Sequence, residues 1–247
     1  PYMIFAASIT IICISAVRNG IEVIARCSQV LVPLIILSIF VTVLLLIKDI
    51  KIQNFQPVFE TTLPRLAWAS HRSATFPFAE TVAFLMVFPF VNKSRETISS
   101  VIKGLVIAGF ILTLISLRNI GVSGVSAQIY TFPSFHTVRI IDIAHVITRM
   151  EILVAINFLA MGFLQISILL YGTALGGAQI LGLRSYLPLI IPIGILMTLQ
   201  LNYANTGEMF EFAEKIYPIY ALPFEVGIPL LTLIIAMIRK LPQGESK

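Results

Sequence analysis

Between Arg26 and Lys48 the chain runs for 21 residues, 27–47, without a charged side chain. About 20 apolar residues rising 1.5 Å each cross a hydrocarbon core of about 30 Å. This stretch therefore limits the fold more than any motif does, and it has companions. Residues 2–17, 73–92, 98–117, 152–175, 186–203 and 216–238 complete a set of seven candidate spans, the fifth lying inside an uncharged run of 32 residues, 152–183. Overall 57% of residues are apolar and only 12% charged, against about 25% charged in an average soluble protein. The sequence predicts an all-α integral membrane protein forming one polytopic domain over residues 1–247. A soluble enzyme and a nucleic-acid binder are excluded.

The excess of 17 Lys and Arg over 12 Asp and Glu then belongs to cytoplasmic loops rather than to a nucleic-acid partner. With the N-terminus outside, the short inner loops and the C-terminal end carry Arg18, Arg26, Lys93, Arg95, Lys103, Arg184, Arg239, Lys240 and Lys247. The outer loops carry Lys51, Arg65, Arg72, Arg118 and Arg139 among others, which leaves the C-terminus cytoplasmic. Residues 119–138 hold several Gly and Ser and read as a loop. After them, residues 134–149 have the helical spacing Val138, Ile141, His145 with Arg139, Asp142 and Arg149 interspersed, which predicts a helix lying on the outer surface. The first residues form a charge-free span with no Met or polar leader before it, the expectation for a chain truncated at its N-terminus. Cys13 and Cys27 make no disulfide framework.

Two carboxylates lie inside spans, where an ionisable group faces a cavity or a partner rather than lipid. Glu80 comes seven residues after Ser73, about 10 Å along a helix, and Glu225 nine after Ile216, about 13 Å. Spans three and seven run in the same direction, so both carboxyls fall at similar depth. Each follows a proline: Phe76-Pro77-Phe78-Ala79-Glu80 and Leu222-Pro223-Phe224-Glu225. Proline removes a backbone donor and breaks or kinks a helix, and broken helices near mid-bilayer offer half-helix ends to ligands. The ligand-binding candidates are Thr75, Phe76, Pro77, Phe78, Ala79 and Glu80, with Glu225 as a second buried carboxylate. The competing reading has both glutamates protonated or satisfying backbone groups at a kink. Asn157 and Gln165, eight residues apart in span five, fall about 80° apart on one helix. They are further ligand candidates, or else polar ties between helices.

Catalysis has no constellation to rest on. His71, His136 and His145 lack metal-ligand spacing, and neither a Gly-rich phosphate loop nor a nucleophile elbow occurs. No catalytic residue, metal site or cofactor is expected.

The run Arg18-Asn19-Gly20-Ile21-Glu22-Val23-Ile24-Ala25-Arg26 resembles the spore germination permease family, the B-type subunits of nutrient germinant receptors. The resemblance continues through Phe76–Glu80, Asn92-Lys93-Ser94-Arg95, residues 130–134, Arg149-Met150-Glu151, residues 169–183 and Phe224-Glu225-Val226-Gly227-Ile228-Pro229, in order along the whole chain. The family is similar to the amino acid–polyamine–organocation superfamily. That similarity implies a leucine-transporter-type bundle of ten spans in two inverted repeats, of which this chain would carry spans four to ten. The third span here would be the discontinuous sixth helix, and residues 134–149 an outer loop helix capping the site. The family's first broken helix would be missing, and Ala79 stands where its glycine is expected; alanine is less tolerant of positive φ.

The resemblance implies a multi-pass subunit in the inner membrane of a bacterial spore. It would bind a small germinant such as an amino acid and signal to A-type and C-type partner subunits. The alternative is an amino acid transporter coupled to H⁺ or Na⁺, since one fold serves both. A third is a remnant without function.

Overall fold

The computed structural model describes residues 2–57, 60–91, 94–141, 149–200 and 206–239. Among them there is no strand. The helices are α1 (Tyr2–Arg18), α2 (Ile21–Leu46), α3 (Leu63–Ser73), α4 (Ser94–Ser123), α5 (Pro133–Val138), α6 (Glu151–Ile180), α7 (Leu187–Gln200), α8 (Thr206–Glu211), α9 (Tyr217–Tyr220) and α10 (Ile228–Ile238). Four continuous helical segments are long and apolar enough to cross a membrane: Ile21–Asp49, Glu96–Ala127, Glu151–Ile180 and Gly207–Ile238. Met3–Arg18 and Leu187–Leu199 are shorter apolar helices. In α10, Ile228, Leu230, Leu231, Leu233, Ile234 and Ile235 are all exposed. A helix apolar on every side is stable only in a core or in lipid, and here the surrounding medium is lipid.

The chain divides into two units. The first comprises Pro1–Ile14, Thr61–Val101 and Ile168–Lys247, the second Ser15–Glu60 and Ile102–Ser167.

In the second unit, Leu46, Val138, Ile141 and Val154 form a buried core, with Val122, Phe135 and Met150 packed against it. Residues 50–55 lie against the end of α4. A Cβ on Gly121 would stand 2.9 Å from Ile50 Cγ2 and 3.1 Å from Phe55 Cζ, so any larger residue would push these side chains off the helix. Lys51 N–H and Asn54 Nδ2 both donate to Gly121 O, at 3.0 and 2.7 Å.

These contacts explain a departure from the sequence reading. Residues 119–138 are not a loop: α4 continues to Ser123, a 3-10 turn covers Gly124–Gln128, and α5 follows. Glycine and serine break an isolated helix readily, but here the last turn of α4 is held by residues 50–55. The helix expected over 134–149 is described as Pro133–Val138, with Thr137 and Val138 fully buried. Residues 142–148, with Asp142 and His145, lie outside the described residues. Arg118, assigned above to an outer loop, is buried in α4 at 3% exposure.

In the first unit α7 crosses close to α1. Thr198 Oγ1 donates to Thr10 Oγ1 at 3.0 Å or to Gly194 O at 2.9 Å. The segment after α3 and the segment from α8 to α10 are both interrupted, and they build the site.

Candidate functional site

Residues 73–92 do not form one helix. After α3 comes a wide π turn over Ala74–Phe78, then 3-10 turns over Ala79–Met86 and Phe88–Phe90. The interruption centres on Phe76, whose φ of −120° and ψ of 120° are extended. The cause is local: Pro77 has no N–H to donate and disfavours helical geometry in the residue before it. Loose ends are partly retied. Thr75, 5% exposed, donates its hydroxyl to His71 O at 3.0 Å, and the Ala79 N–H reaches back to Ala74 O and Thr75 O. Thr81 Oγ1 donates to Phe78 O at 2.7 Å.

The second arm is interrupted in a milder way. Wide π turns occupy Phe212–Ile216 and Pro223–Gly227, with α9 between them. Pro218 and Pro223 each withhold a backbone donor, and a wide turn is the usual local adjustment. No extended residue occurs there.

The two arms meet at Tyr217. Its hydroxyl lies 3.0 Å from Glu80 Oε1 and 2.9 Å from Glu225 Oε1. Both span carboxylates thus share one phenol. The Phe76 ring stands edge-on to the Tyr217 ring, centroids 6.3 Å apart at 89°. Nearby, His71 Nε2 lies 3.1 Å from Pro218 O, and Arg72 Nη1 pairs with Glu214 Oε1 at 2.7 Å. The latter pair is partly solvated and holds little energy.

Hydrogen-bond capacity fixes what this cluster can be. A phenol has one proton to donate and lone pairs to accept with. It can donate to one carboxylate only. The other close contact needs a proton on that carboxyl, or a cation in its place. The geometry thus accommodates a chain of the form carboxyl–phenol–carboxylate. Glu225 Oε2 is buried and makes no hydrogen bond among the described residues, which leaves one acceptor open in the cluster. Buried polar atoms are nearly always satisfied, so this one is poised for a donor.

The other sequence candidates lie in the second unit. Asn157 Nδ2 donates to Ser38 Oγ at 2.6 Å, linking α6 to α2. Gln165 is on an exposed position of α6. The sequence reading missed Tyr217, His71 and Arg118. The only available signal for Tyr217 was an aromatic-proline pair, Tyr217-Pro218, upstream of Glu225. No group of three or more His, Cys, Asp or Glu that could hold a metal occurs among the described residues.

Comparison with known proteins places the chain in a family. The profile of the family described as "Spore germination protein" matches residues 1–209. The chain is 28% identical to spore germination protein KB of Bacillus subtilis, over the whole of this chain and 68% of that protein. It is 23% identical to the putative spore germination protein YfkT of the same organism, again over the whole chain and 68% of the relative. Identity to the spore germination protein YndE, also of Bacillus subtilis, is 24%, covering 94% of this chain and 63% of the relative. No solved structure matches the chain. With its long lipid-facing helices and a family match over most of its length, the chain is a multi-pass membrane protein that belongs to the spore germination permease family.

Proposed function

We propose that the chain is the membrane subunit of a nutrient germinant receptor, acting in spore germination from the inner spore membrane. It binds a small germinant such as an amino acid and signals to A-type and C-type partner subunits. The observation that carries this reading is the interruption at Phe76 beside the Tyr217-bridged Glu80 and Glu225. An ammonium group suits a place where two carboxyls compete for one phenolic proton. Thr75, Phe76, Pro77, Phe78, Ala79 and Glu80 line this proposed site, Glu225 closes it, and Asn157, bonded to Ser38, acts as a tie between helices. Occupancy shifts the balance between two arrangements of the interrupted segments, and the partners read that shift. The leucine-transporter-type arrangement, with residues 73–92 as its discontinuous sixth helix, belongs to the same proposal.

The test is germination of spores carrying Glu80→Gln or Phe78→Ala in the complete receptor, with receptor level measured by immunoblot. The expected result is loss of the nutrient response at unchanged level. Normal response from both variants refutes the site. A second reading, a proton-coupled amino acid transporter, is favoured by the continuous carboxyl–phenol–carboxylate chain, which can pass a proton. Uptake of labelled amino acid into proteoliposomes, abolished by a protonophore, selects that reading.

A further inference from the structure

The second unit buries a positive charge that no carboxylate among the described residues neutralises. Arg118 is 3% exposed in α4. Its Nε and Nη2 donate to Asn119 Oδ1 at 3.2 and 2.9 Å, and its Nη1 to Thr42 Oγ1 at 2.8 Å. All these acceptors are neutral, and among the described residues no carboxylate pairs with the guanidinium. A buried charge is costly unless it is paired as well as hydrogen-bonded.

The spare capacity of Arg118 itself is all of one kind. A guanidinium has five N–H donors, and three are used, leaving one on Nη1 and one on Nη2. Asn119 Oδ1 is taken by Arg118, while Asn119 Nδ2 donates to Ser134 Oγ at 2.9 Å. Ser134 accepts that bond, so its own proton remains to be given. Thr42 accepts from Arg118 and donates to Ile39 O at 2.8 Å. The Thr42 and Ser134 hydroxyls each keep one acceptor lone pair, but the unspent charge and the two spare N–H donors belong to the cation.

Arg118, Ser134, Thr42 and Asn157 line one cavity of about 60 Å³, walled otherwise by apolar side chains such as Ile115, Val154 and Phe158. That volume exceeds the about 10–15 Å³ a single water requires. It falls well below the about 300–1,000 Å³ of sites for larger organic ligands. Water would bring donors and acceptors in equal number and no charge. A species that only accepts, and carries one negative charge, satisfies both the spare donors and the cation.

We propose that this cavity is a binding site for a small monovalent anion, a halide or the carboxylate of a one- or two-carbon acid, held by Arg118 and Ser134. It lies within the second unit and does not depend on the germinant reading of Glu80, Tyr217 and Glu225.

The test uses the purified chain in detergent, melted in sodium gluconate with stepwise replacement by chloride, nitrate, formate or acetate at constant ionic strength. The expected result is a saturable rise of Tm with one or more of the small anions and none with sulfate. A rise with chloride and nitrate alone identifies an inorganic ion as the occupant; a rise with formate and acetate alone identifies a carboxylate. Arg118→Gln should abolish the rise. Because that variant could fail to fold, Ser134→Ala supplies a milder one. It removes a single hydrogen bond to a charged group, and the apparent affinity should fall by about tenfold. Equal response to all small anions and to sulfate, no response to any, or an unchanged response in Ser134→Ala together with either Arg118→Gln or Arg118→Lys, overturns the proposal.

Discussion

Replacing Tyr217 by phenylalanine removes one oxygen and leaves the ring in place against Phe76. That oxygen is 3.0 Å from Glu80 Oε1 and 2.9 Å from Glu225 Oε1, so the two carboxyl oxygens are at most about 5.9 Å apart. Two effects follow. Each hydrogen bond between the phenol and a carboxylate is worth about 1.5–3 kcal/mol, and neither group gains a substitute. Any state in which both carboxyls ionise then carries a repulsion of about 3 kcal/mol at an effective dielectric of about 20, without a proton between them. The expected loss for Tyr217→Phe is about 2–3 kcal/mol, which for a chain of this size lowers Tm by about 4–12 °C.

The measurement is a thermal melt of the purified protein in detergent, followed through reaction of the buried Cys13 thiol with a dye. The decisive comparison adds Glu225→Gln to Tyr217→Phe. With one charge removed the repulsion disappears, so the double variant should melt above Tyr217→Phe alone, a coupling of about 0.5–3 kcal/mol. If Tyr217→Phe melts within a degree of the parent, or if the two substitutions simply add, the phenol does not bridge the carboxyls.

Outcomes are expected for substitutions at three further positions. Asn157→Ala should cost about 0.6–1.7 kcal/mol, the range of a hydrogen bond between membrane helices, and leave the nutrient response unchanged. The loss should disappear in a Ser38→Ala background. Arg72→Gln should change Tm by no more than the equivalent of about 1 kcal/mol, because its pair with Glu214 is 37% and 55% exposed. Gly194→Ala should be tolerated with a small loss, since its Cβ would stand 2.7 Å from Ile14 Cδ1, a movable side-chain end. Gly194→Leu should sharply reduce the yield of folded protein in a size-exclusion profile, because overpacking at the α1–α7 contact cannot be relieved by one rotamer.

What could be read from the sequence was whatever depends on neighbours along the chain. Proline acts on its own residue and the one before it, so a break was readable at Pro77, although Pro33 and Pro192 are carried inside continuous helices. Charge-free runs reveal helices surrounded by lipid for the same reason. The convergence on Tyr217 was not legible. Its partner Glu225 is eight residues away, outside the three- and four-residue spacings that bring side chains together on a regular helix, and Glu80 is 137 positions distant. Arg118 was misjudged because its position next to Asn119 and a Gly-Ser stretch looks like the start of a loop. Its burial comes from Thr42 and Ser134, which no local pattern connects to it. The extent of α4 was underestimated for a related reason: Gly121 ends an isolated helix, but here it is the point where Ile50 and Phe55 lean against the backbone.

The wide turns at Phe212–Ile216 and Pro223–Gly227 bracket α9, the short piece that carries Tyr217. A wide turn contains one residue more than a regular one, and it can travel along a helix by exchanging one backbone hydrogen bond for its neighbour. Each such step swings the side chains it passes by about 100°, with little movement of the helix ends. The stretch bearing the phenol is thus built like a roller between two bearings, able to turn its hydroxyl toward or away from Glu80 while α10 stays seated in the bilayer.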